Sequence, residues 1–170
     1  MKLTAATLAM LLAASPALAA WEKAEGGSMV KPTQTNSNIE ALFVHCLEGP
    51  AIDLYATDNA PVLPAEGGGD ADYFYKPGVI RADVDGKQFP LVAAGSDIAV
   101  VLFSEGTAEE SYLAPIDFAL IDAMFAGRTL TIALDITPAN GKDGSPFETF
   151  ASFDLTGAGP LINDAIAPCS

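Results

Sequence analysis

A mainly β fold, an antiparallel β-sandwich or partly open barrel with one packed helix and a short C-terminal helical turn, is what this sequence predicts. Three observations carry the prediction. Apolar residues recur with period two through most of the chain, turn signals separate those runs at hairpin distances, and one stretch, 115–125, changes to helical spacing. No internal repeat of useful period is present.

The chain begins with the pattern of an export signal. Lys2 supplies the positive start, residues 3–14 form an uncharged apolar run, and Ser15-Pro16-Ala17-Leu18-Ala19 offers an A-x-A site, so cleavage is expected after Ala19 with Ala17 and Ala19 at the small positions. An uncleaved anchor is the alternative, because residues 3–20 run 18 positions without a charge, near the minimum for a span. Pro16 and the small residues favour processing. No cysteine stands at the cleavage point, which argues against a lipoprotein.

Residues 20–37 hold Gly-Gly, Pro32 and Ser/Thr/Asn clusters with little periodicity, and are expected to form a flexible lead-in to a single β-rich domain over 38–170. Residues 39–46 and 51–56 then alternate, with Leu42, Val44 and Cys46 on one side of the first run and Ile52, Leu54 and Ala56 on one side of the second. The intervening Leu47-Glu48-Gly49-Pro50 is hairpin spacing. Residues 58–72, with two prolines, three successive glycines and four acids, predict a surface loop.

Alternation resumes over 79–84, and Asp85-Gly86 is the strongest hairpin signal in the chain, leading into 88–93. Pro90 has no N–H to give to a ladder, so that second arm is expected at a sheet edge. Residues 97–103 are apolar at nearly every position, as in a strand covered on both faces. Ile116, Leu120, Ala123 and Met124 then fall at helical spacing, with Asp117 suited to the helix start and Gly127 to its end. Residues 129–136 return to period two, 137–146 form a second turn-rich loop, and 147–155 alternate again except at Phe150. Gly159-Pro160-Leu161 opens a helical stretch that delivers Cys169. The count is seven strands and one clear helix.

Cys46 and Cys169 are the only cysteines. Export carries them to an oxidising compartment, where a pair without a competing thiol is expected to close as a disulfide. The bond spans 123 residues, and chain entropy sets its stabilisation at up to about 4–5 kcal/mol.

Charge and motifs narrow the function. The full chain has 8 basic and 22 acidic residues, a net charge of −14; losing Lys2 with the leader makes it −15. That charge repels phosphate backbones and anionic lipid heads, which argues against nucleic acid and membrane-surface partners, and no apolar run after the leader is long enough for a span. It suits solubility or a basic partner.

His45 is the sole histidine and is expected on the outer face of its strand beside Phe43; a Cys-His nucleophile would need Cys46 as a free thiolate. Ser28-Met29-Val30-Lys31 matches S-x-x-K but lacks the companion elements of serine acyl-transferases. Asp83-Val84-Asp85-Gly86 resembles part of a calcium loop, yet aligning Gly86 with its glycine puts Arg81 and Val92 where carboxylates are required. Loose calcium binding is left to the acidic loop. Gly67-Gly68-Gly69 has no following lysine and helix to make a phosphate cradle. No catalytic set, cofactor or metal motif emerges, and a pair of carboxylates across a pocket cannot be located from spacing alone.

The ends of the chain resemble those of the invasion-associated protein B family and the VasI-like proteins, small exported bacterial proteins. The similarity lies in Trp21, in Leu42-Phe43-Val44-His45-Cys46, and in Phe153-Asp154-Leu155-Thr156-Gly157 followed by Leu161, Ile166 and Cys169. It departs at Phe89, where a tryptophan would be expected. The resemblance implies a periplasmic β-rich domain with one disulfide, without known catalysis, acting in envelope or host interaction. The expected function is accordingly an exported, non-enzymatic domain that binds a protein or envelope component, periplasmic or secreted. The alternatives are an acidic inhibitor of a basic hydrolase such as lysozyme, and a hydrolase built on carboxylates.

Overall fold

The computed structural model describes residues 20–57, 72–96, 98–135 and 148–169. The expected leader with Ala17 and Ala19, the acidic loop apart from Asp72, the loop 137–146, and the single positions Asp97, Ile136 and Phe147 lie outside them.

The described residues form eleven strands in one antiparallel sheet, with two α-helices. The first difference from expectation is at the start: β1 (Glu22–Ala24), β2 (Gly27–Val30) and β3 (Gln34–Thr35) occupy the segment expected to be a loose lead-in. The folded domain therefore begins near Trp21. The cause is burial. Trp21, Ser28 and Val30 are all sequestered, and Gly26 turns β1 into β2 at φ +78°.

β4 (Ile39–Cys46) and β5 (Pro50–Ala56) make the first expected hairpin. β6 (Asp72–Val84) and β7 (Lys87–Ser96) make the second, turning at Asp85 and Gly86 with φ +50° and +90°, the left-handed pair that a two-residue type I′ turn requires. β8 (Ala99–Glu105) and β9 (Leu113–Ala114) follow, then α1 (Phe118–Ala126), β10 (Thr129–Leu134), β11 (Thr149–Asp154) and α2 (Gly159–Ile166). Helix α1 starts as predicted, with the Asp117 carboxylate accepting from the Ala119 N–H, and stops at Gly127.

The strand order β1-β2-β4-β5-β8-β7-β6-β10-β11-β3 places β7 inside the sheet, between β8 and β6. The expectation that Pro90 marks an edge is therefore wrong for the strand as a whole. It holds locally. Counting from the tight turn, Val84 and Lys87 form a hydrogen-bonded pair, so Pro90 and Arg81 form a non-bonded one and the Pro90 nitrogen points away from β6, toward β8. There the β7–β8 ladder has already ended, its last pair being Leu91 with Ser104. The full two-sided covering expected of β8 is also corrected: Val100 and Leu102 are buried, whereas Val101 and Phe103 stay half-buried on the outer face.

One continuous sheet, rather than two stacked ones, makes the partly open barrel the better of the two predicted architectures. Its inner face and both helices share one core, with Leu42, Ile52, Leu102, Leu130 and Phe153 fully buried. The seam is bridged near its ends: Trp21 Nε1 donates to Asp154 O at 2.7 Å, and Ser28 Oγ donates to Leu161 O at 2.8 Å as α2 lies against β2 and β4. Cys169 then reaches Cys46, with Cα atoms 5.6 Å apart, inside the range a disulfide accepts.

On the outer face the Arg81 guanidinium grips Glu148 with two parallel hydrogen bonds, Nη2 to Oε2 at 2.6 Å and Nη1 to Oε1. Those bonds hold the Glu148 carboxyl below the ordinary glutamate value of 4.5. Both side chains are about one-third exposed, so solvent screens the pair and Glu148→Gln is expected to cost only about 0.5 kcal/mol at neutral pH. A lowered folded-state value means that the contribution is present above pH 4.5 and is lost on acidification through the folded value. Urea melts of both proteins should therefore converge below pH 4.5; a constant gap would refute the ion pair.

Candidate functional site

The outer face of the β4–β5 hairpin carries a small polar cluster set among rings. Leu42, Val44, Ile52 and Leu54 point to the core, so Phe43, His45, Asp53 and Tyr55 share the opposite face. In the observed register Phe43 lies opposite Asp53 and His45 opposite Ala51, which leaves His45 and Asp53 as diagonal neighbours. The Nε2–Oδ1 separation is 3.2 Å. Neither atom makes a directed hydrogen bond among the described residues, although both are buried. The imidazole stacks on Phe43 with ring centroids 4.9 Å apart and planes at 20°, and Tyr55 meets Phe43 edge-on at 6.5 Å. Phe43 has room because β2 carries a glycine beneath it: a Cβ on Gly27 would come within 2.7 Å of the Phe43 ring and 2.3 Å of Val44 O.

A cleft of about 420 Å³ opens beside this cluster. Its origin is a fork in the sheet. β8 pairs with β5 up to Leu102 opposite Ile52 and then with β9 from Ser104 onward, while β7 continues along its other edge. Strands β5 and β9 thus diverge around Phe103. The floor holds His45, Asp53 and Ala51, the walls Val101, Phe103, Leu113, Pro115 and Ile116, and the rim the β4–β5 turn with Leu47 and Glu48. That size suits a small ligand or an inserted side chain.

Burial is the main influence on Asp53 and pushes its carboxyl above the ordinary 3.8, with His45 pulling the other way; burial and then the Asp53 charge push the Tyr55 phenol up. An acid whose folded value is raised stabilises the fold fully below pH 3.8 and loses that contribution as pH rises through the folded value. Burying the Asp53 charge beside Tyr55 is therefore a net cost wherever the carboxyl ionises. Asp53→Asn is therefore expected to raise stability at pH 7 by roughly 1 kcal/mol, the penalty of a poorly met buried acceptor. The gain should fade as the pH approaches 3.8 in paired urea melts, and a variant less stable at pH 7 would contradict it.

Other sequence candidates resolve differently. Cys46 is consumed by the disulfide, so no thiolate stands beside His45. Ser28 lies in a strand with its hydroxyl given to Leu161 O, and cannot act as the serine of an S-x-x-K helix with Lys31. Asp83 and Asp85 are hairpin residues: Asp83 Oδ1 accepts from the Gly86 N–H, and the two Asp85 oxygens accept from the Arg128 and Thr129 N–H groups. Among the described residues no group of three or more His, Cys, Asp or Glu side chains could hold a metal. Asp53 escaped attention in the sequence, yet a signal existed: His45 and Asp53 both fall at outward positions of neighbouring strands.

Chemically, the cleft offers an imidazole, a buried carboxylate and apolar walls, with no hydroxyl or thiol side chain among the described residues of its lining. Comparison of the chain with protein-family models, curated proteins and solved structures gives no match.

Proposed function

We propose that this chain is an exported, non-enzymatic β-domain that binds a protein or envelope component through the cleft at the β8 fork. The observation that carries the reading is the cleft itself: concave, mostly apolar, set on strands, and holding a polar pair with no nucleophile beside it among the described residues. A periplasmic or secreted location is supported by the closed disulfide, which oxidising compartments preserve, and is compatible with the described residues containing no helix long and apolar enough to cross a membrane. Membership among the invasion-associated protein B and VasI-like proteins is part of the proposal, on the strength of Trp21, the strand ending in Cys46 and the closing segment.

The test is capture from a periplasmic extract by wild type and by Leu47→Glu. Leu47 is 72% exposed, so the change charges the rim without touching the core. Partners recovered by wild type and lost by the variant support the reading. Equal recovery by both, or turnover of a substrate without capture, overturns it.

A second reading, an inhibitor of a basic hydrolase, draws on the net charge of −14 and the two acids of the cleft. It requires salt-sensitive inhibition of a basic enzyme such as lysozyme; unchanged lysozyme rates at low ionic strength would dismiss it.

A further inference from the structure

Resting on the cleft as the binding surface, we infer that its preferred occupant is an ammonium group carried on an apolar stem, with the cation seated against Asp53 and Glu48 and the stem against Val101, Phe103 and Leu113. Three observations lead there. Among the described residues the lining contains two acids and no lysine or arginine, and His45 is its one basic side chain. That imidazole stacks on Phe43, and its Nε2 lies 3.2 Å from Asp53 Oδ1 without a directed hydrogen bond. The buried carboxylate is thus met by an imidazole contact that completes no directed hydrogen bond.

An incoming N–H donor with a positive charge answers both needs, and charge-assisted hydrogen bonds are roughly twice as strong as neutral ones. An anion would meet the two acids of the lining with no lysine or arginine there to balance them, and a neutral alcohol would supply a donor without the charge. The stability cost assigned to Asp53 points the same way, since a residue that weakens the free protein is characteristic of a binding site. The cation has two sources, a free amine or a lysine side chain of a partner protein.

The test uses the oxidised, leader-free chain labelled with nitrogen-15, titrated with phenethylamine, with Nα-acetyl-lysine amide and with the neutral isostere 2-phenylethanol, following the amides of Ala51, Asp53 and Val101. The expected result is saturable shifts with at least one amine, roughly tenfold weaker binding of the alcohol, and a similar loss of amine affinity in Asp53→Asn. Phenethylamine binding alone assigns a free amine, and lysine-derivative binding alone assigns a protein side chain. Equal binding of amine and alcohol overturns the charge inference while leaving the cleft as a binding site. No shift at the cleft with any probe overturns both. The amine–alcohol comparison is made on the wild-type protein, so it stands even if the variant folds poorly.

Discussion

Replacing Cys46 and Cys169 together by alanine is expected to lower stability by about 4 kcal/mol, and at most about 5. For a domain of this size that is a fall in melting temperature of about 8–20 °C. The physical source is the loop of 123 residues that the bond closes, since the denatured chain regains the freedom the crosslink had removed. The folded state loses less. Helix α2 remains held by its own apolar face, with Ile162, Ala165 and Ile166 buried against the barrel, so only the last turn, Ala167–Cys169, is released. Calorimetry on the double variant checks this; a melting temperature within about 2 °C of wild type would show that the crosslink adds nothing to the fold. The double change is preferable to a single one, which would leave a thiol beside His45 free to pair between molecules.

Trp21→Ala is expected to cost about 3–5 kcal/mol, as buried tryptophans generally do. The residue is 9% exposed, belongs to the central core, and spends its indole N–H on Asp154 O across the seam. Trp21→Phe keeps most of the apolar contact and should cost about 1 kcal/mol for the lost hydrogen bond. Urea denaturation of both variants separates the two contributions. Equal stability of Trp21→Ala and wild type would mean that the first residues of the domain are dispensable and that the lead-in expected from sequence was the better description. With cleavage after Ala19, only Ala20 would precede this anchor in the processed chain.

The contrast between what the sequence revealed and what it hid has physical causes. Helix α1 was legible because its signals agree: apolar spacing, the Asp117 cap and the Gly127 stop all specify one element. The β6–β7 hairpin was legible because Asp85-Gly86 suits one turn geometry above others. Strands β1, β2 and β3 were hidden because they are short and carry few apolar residues, and their order comes from tertiary partners far along the chain, such as Leu161 for Ser28 and Ser152 for Gln34. Position in the sheet was hidden for the same reason: Pro90 reports a missing N–H, but only the neighbouring ladder shows where that nitrogen points. The candidate site was half legible. The alternation that sends Val44 and Ile52 inward sends His45 and Asp53 outward, yet the contact depends on a three-residue turn that pairs Cys46 with Pro50. The cleft itself follows from the exchange of β5 for β9 along β8, which no local pattern encodes.

Because Gln34 and Thr35 pair with Ser152 and Ala151, and Cys46 waits for Cys169, the sheet cannot be completed until nearly the whole polypeptide has been made. Such distant pairings exact their loop-closure entropy before returning any contact, which places acquisition of the native state in the slow, millisecond-to-second regime of all-β topologies. A nascent chain of this design stays without its completed sheet until its last strands emerge, whatever its destination.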